Sequence, residues 1–126
     1  MYVQDKFLQL LDKEFGYYEA ILDITEQENG KFQRERPLSE IQPLMKKKQI
    51  FIACIDEIGK ELRPLKQQWK EGKDEYPAPI RDMIQEHLKN FDGLLKTILD
   101  LDKANNRMLE KRMIALKTQN RTSVKS

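Results

Sequence analysis

His87 and Cys54 are the chain's single histidine and single cysteine, and they are the first residues to weigh for chemistry. An imidazole titrates near neutral pH and ligates metals, and a thiolate serves as nucleophile or ligand. Neither has company here. A zinc site needs three or four ligands, and a di-iron bundle needs two Glu-x-x-His pairs, which one histidine cannot provide. His87 falls on an apolar helical stripe and Cys54 inside the apolar run Ile50–Ile55. A satisfied, partly buried histidine and a small core thiol are therefore the readings to prefer. The glycines, Gly16, Gly30, Gly59, Gly72 and Gly93, never take the close spacing of a phosphate-binding loop. A helical enzyme acting on an anionic metabolite, of the chorismate mutase kind, needs arginines converging from several helices. The first arginine is Arg34, beyond a leading helix that carries mainly acids. No catalytic residue, metal site or cofactor is expected, and a small helical enzyme stays only as an alternative.

What remains is chemistry of surfaces, and surfaces are set by helices. From Ile80 to Leu116 apolar residues recur every three or four positions. Ile80, Ile84, Phe91, Leu94, Ile98 and Leu101 form one line, widened by Met83, Leu88, Leu95 and Leu99, so a long helix is expected over about 79–117. Beyond Leu101 the line changes character, because Asn105 and Arg112 interrupt it while Met108, Leu109, Met113 and Leu116 continue around them. That end is poorly suited to a dry core. It suits a binding face, a bundle core or a homodimer seam.

Two earlier helices have matching faces. Over about 3–29 the spacing of Leu8, Leu11, Phe15, Tyr18, Leu22 and Thr25 alternates three and four, with Phe7, Leu10, Tyr17, Ile21 and Ile24 beside it. Asn29 and Gly30 read as its stop signal, and Gly16 reads either as a point of close helix approach or as a tolerated accident. Ser39 followed by Gln42 resembles a capping box, opening a second helix over about 39–70 with the stripe Leu44, Phe51, Ile55, Ile58, Leu62, Leu65 and Trp69. Lys48 is its one polar step. Pro64 lies inside this pattern, and a kink or break near Leu62 is expected. Residues 71–79, with Gly72, Pro77 and Pro79, read as a linker. The expected fold is all-α: an antiparallel, coiled-coil-like bundle of three long helices in one domain, 1–117, with an extended C-terminal helix and a disordered tail at 118–126.

The chain has 126 residues, 35% charged and 39% hydrophobic, a mixture typical of long exposed helices. No apolar run approaches the ~20 residues of a membrane span, no secretory signal is read at the start, and the lone cysteine suits a reducing compartment. A cytoplasmic protein without membrane insertion is expected. The net charge of +2 argues against a dedicated nucleic-acid binder. The charge is unevenly placed: residues 1–30 carry seven acids and two lysines, whereas residues 103–126 carry seven Lys or Arg and only Glu110 as an acid. Basic residues suit a helix C-terminus through its dipole, or steer a partner.

Several landmarks occur in a familiar order: Leu10-Leu11-Asp12-Lys13-Glu14 and Tyr17-Tyr18-Glu19 in the first helix, Leu38-Ser39-Glu40-Ile41 at the restart, and Lys46-Lys47-Lys48-Gln49 entering the second. Leu99-Asp100-Leu101, Asn105-Asn106-Arg107 and Leu109-Glu110 follow in the third. Over most of residues 5–116 the chain resembles the FlgN family of flagellar export chaperones. It departs from the family pattern at Pro37, Pro43 and Pro64 and in its proline-bearing linker. The resemblance implies a non-enzymatic cytoplasmic protein that binds flagellar hook-filament junction proteins and delivers them to the type III export apparatus. It also implies that the C-terminal helix is the client-binding part. Mapped here, that part is the segment whose apolar face the spacing already marks: Leu101, Asn105, Met108, Leu109, Arg112, Met113 and Leu116. The alternatives are a helical scaffold or adaptor and another type III secretion chaperone of FliT-like type.

Overall fold

Between residues 7 and 32 one line of the first helix turns inward: Phe7, Leu11, Glu14, Tyr18, Ile21, Thr25, Glu28 and Phe32. All are buried except the half-buried Tyr18. The steps alternate four and three without a fault, which is what a helix lying along its neighbours requires. The computed structural model describes residues 3–125 and the side chains of residues 5–119. In it this helix, α1, runs Val3–Gln33. The Asn29-Gly30 stop signal is overrun because the inward line continues to Phe32. The helix ends at Gln33, and two residues on Glu35 takes a φ of 55°, the left-handed turn more often given to glycine. The Arg36 amide then donates to the Lys31 carbonyl at 2.9 Å and the Glu35 amide to that of Phe32 at 3.1 Å, closing off the last turn. Gly16 is exposed with open space where a side chain would stand, so it marks no close approach.

The second helix, α2, runs Leu38–Gly72 as one element with Pro43 and Pro64 inside it. No break occurs at Leu62. Pro64 is exposed, so the backbone hydrogen bond it forfeits faces water, while Leu62 and Leu65 on either side stay buried. The expected capping box at Ser39 is not formed. The cap position is Pro37, extended at φ −56° and ψ 145°, and no side chain caps the helix. A 3-10 turn, Lys73–Glu75, leads to the third helix, α3, Ala78–Lys125. The residues expected to form a tail, 118–125, continue the helix; Ser126 lies outside the described residues. Among the described residues there is no strand.

Cross-helix pairs give the topology. Glu14 meets Lys66 and Glu28 meets Lys48, so α2 returns antiparallel to α1. Asp12 meets His87 and Asn29 meets Asn105, so α3 runs back in the direction of α1. The apolar core gathers at one end, where Phe7, Leu11, Ile58, Leu62, Leu65, Trp69 and Ile84 form one cluster. Trp69 packs there between Phe7 and an edge-on Tyr76. Phe51 and Phe91 lie at its margin, half-buried, against Tyr17 and Tyr18. α1 packs closely along both other helices, whereas α2 and α3 are further from each other and meet mainly through long side chains.

Candidate functional site

The far end of the bundle is held by polar groups. Glu28, 4% exposed, points from α1 toward α2, and Lys48 supplies the opposing charge: its Nζ donates to Glu28 Oε1 at 2.6 Å and to Asp102 Oδ1 of α3 at 2.9 Å. Burial disfavours this ammonium, but the two carboxylates it bonds outweigh burial, and its pKa lies above the usual lysine value. One turn along α3, Asn105 is 3% exposed. Its amide donates to the Thr25 carbonyl at 3.1 Å and accepts from Asn29 at 2.9 Å. Every strongly buried polar side chain in this layer therefore has a partner, as burial demands.

Beyond this layer α1 ends and α3 continues. Arg112 lies over the Phe32 ring, 5.5 Å from its centroid, and donates to the Arg36 carbonyl, so it seals the end of α1. Its second terminal nitrogen is buried against these groups without a hydrogen bond. Past Arg112, α3 runs on beside the first turns of α2, where Ala115, Leu116 and Gln119 lie near Leu38.

Between those first turns and α3 lies an open apolar groove of about 350 Å³. Leu38, Ile41, Gln42 and Met45 form one wall; Leu109, Met113, Leu116 and Lys117 form the other. Met113 is 51% and Leu116 47% exposed, high for side chains of this size. A smaller polar recess, about 180 Å³, continues it inward past Met45 to Lys48, Asp102 and Asn106. The volume sits at the low end of ligand pockets, ~300–1,000 Å³. Its open side and two parallel walls suit anchor side chains of a helix.

The seven residues marked in the sequence thus divide. Leu109, Met113 and Leu116 line the groove. Leu101 and Met108 are half-buried and lie outside its lining, and Asn105 and Arg112 are committed to contacts with α1 and the turn after it. The α2 wall was not among them. Leu38, Ile41 and Met45 each stand beside polar residues at a helix start, and none belongs to the α2 stripe.

His87 Nε2 is 2.7 Å from Asp12 Oδ1 and its ring meets Phe15 edge-on, while Cys54 is a half-buried free thiol. Among the described residues no cluster of His, Cys, Asp or Glu is arranged to hold a metal, and no helix is long and apolar enough to cross a membrane. Comparison of the chain with protein-family models, curated proteins and solved structures gives no match. The fold defines the class: a bundle of three long helices with an apolar groove at one end.

Proposed function

We propose that the protein is a cytoplasmic export chaperone that binds flagellar hook-filament junction subunits and delivers them to the type III export apparatus. The observation that carries this reading is the apolar groove between the start of α2 and the late part of α3, where Met45 and Met113 stand half-exposed. The sequence resemblance assigns client binding to that same part of the chain. A subunit helix that would otherwise self-assemble inserts its apolar face between the two walls. Unbranched, polarizable methionines adapt to such a surface.

Completing the burial of Met45, Met113 and Leu116 contributes about 1 kcal/mol each, half the value for a fully transferred side chain. Together that is about 3 kcal/mol, short of the ~4 kcal/mol of even a millimolar complex, so burial of the client's own apolar face supplies the rest of the affinity. A scaffold or adaptor role draws on a different feature: Ile50, Met83 and Leu99 are exposed and none lines the groove.

The test is calorimetric titration with the C-terminal helical segment of a hook-filament junction subunit. The parent is expected to bind. Met113→Glu removes about 1 kcal/mol of burial and desolvates a charge, so affinity falls at least tenfold while the melting temperature stays near the parent's. Absence of binding by the parent refutes the proposal.

A further inference from the structure

We infer that the occupant of this groove is an amphipathic helix of another protein with acidic residues on both flanks of its apolar stripe. The inference rests on the reading of the groove as a docking site and adds the chemistry of the partner. Lys117 lines one wall, and Lys46, outside the lining but next to Met45 and one turn after Gln42, flanks the other; both are exposed. Among the described residues neither makes an ion pair. Two of the acids nearby are already engaged: Arg36 grips Glu40 with two hydrogen bonds, at 2.6 and 2.7 Å, and Lys48 holds Asp102. The Arg36 contact keeps the Glu40 carboxyl below its ordinary range, so it stays ionised and taken. Glu110 is the one acid on the late part of α3, against seven basic residues from 103 to 126.

A helix lying between the walls therefore meets a lysine on each side, and acids on both of its flanks complement them. A second copy presenting its own late α3 does not. That segment carries seven basic residues and one acid over 103–126, and like charges facing across an interface disfavour the pairing.

Two designed helical peptides of about 18 residues, ~27 Å long, separate the outcomes. Both carry the same leucine stripe; one has glutamates on its flanks, the other lysines. Each is titrated calorimetrically into the full chain at low and at physiological salt. The glutamate peptide is expected to bind about tenfold tighter than the lysine peptide, from two rim charges that attract in one case and repel in the other. Salt narrows the gap, and the double variant Lys46→Glu, Lys117→Glu reverses the preference. Equal affinity for both peptides overturns the acidic partner and leaves the groove standing. Failure of both to bind overturns the groove as well. A chain that sediments as a dimer and becomes monomeric as Met113→Glu places a second copy in the groove and overturns the inference.

Discussion

Replacing Lys48 by methionine removes the charge between α1, α2 and α3 while keeping most of the volume. The ammonium sits 2.6 Å from Glu28 Oε1 and 2.9 Å from Asp102 Oδ1, with the Lys48 and Glu28 side chains 12% and 5% exposed. Taking one partner from a buried pair costs ~3–5 kcal/mol, because the other charge is left without compensation. Asp102 is 41% exposed and can turn to water, and the adjoining recess admits solvent, so the lower end applies. About 3 kcal/mol is roughly a fifth to three-fifths of the ~5–15 kcal/mol that holds a typical domain, and about 10 °C in melting temperature. Urea unfolding followed by circular dichroism reads this as a lower midpoint with an unchanged slope. The gap has a pH signature. A lysine with a raised pKa contributes stability that is complete below its unfolded value and lost as pH rises through the folded one. Parent and Lys48→Met should therefore differ by a constant amount near neutrality and converge above about pH 10.5, the ordinary lysine value from which Lys48 is raised. Adding Glu28→Leu should restore stability to the parent's or above, since a buried pair exchanged for apolar groups is often neutral or stabilising. A loss under about 1 kcal/mol in the single variant would show that Lys48 is solvated and does not hold this layer together. A double variant as weak as the single one would assign the loss to packing.

The dry end and the turn give two further expectations. Leu62→Ala, at a site with no exposure, should cost ~2–5 kcal/mol in urea melts, and Phe91→Ala, half-buried, about 2 kcal/mol; the reverse order would move the core toward the middle of the bundle. Glu35→Gly should raise stability by about 1 kcal/mol by relieving the left-handed backbone at φ 55°, and no gain would mean that the Glu35 side chain compensates for it.

The seams of the three helices were legible because apolar residues mark most of them: Leu62, Leu65 and Trp69 in α2, and Ile84 and Ile98 in α3, are buried where their spacing puts them. Of the polar members, Thr25, Lys48 and Asn105 fall on the stripes the spacing marks, but the acids do not. Glu14 and Glu28 occupy inward positions of α1, but a carboxylate signals solvent until its partner is known, and Lys66 and Lys48 lie 52 and 20 residues away in sequence. Helix ends were misjudged for a related reason. Asn29 and Gly30 favour a stop locally, yet burying Phe32 contributes about 1.5–3 kcal/mol, more than the local preference against continuing. The capping box at Ser39 lost to Pro37, whose fixed extended geometry starts the helix one residue earlier. The α3 wall of the groove could be marked on the chain, since Met113 and Leu116 continue a stripe past its polar interruptions. The α2 wall could not, because the adjacency of Ile41 and Met45 to α3 exists only once the helices are packed.

A repeat of seven makes long helices interchangeable with themselves: slide one along another by two turns and every seam position meets a seam position again. The layer at Glu28 and Lys48 breaks that degeneracy. With α2 shifted by seven residues one way, Glu28 would face Ile41 and Lys48 would face Ile21; shifted the other way, Glu28 would face Ile55. Each slip strands buried charge against isoleucine, at several kcal/mol per ion, whereas the leucine-rich end would tolerate it. One charged layer therefore selects a single alignment of the helices. Since Ile41 and Met45 lie on α2 and Leu109 and Met113 on α3, that alignment is also what brings the two walls of the groove opposite each other.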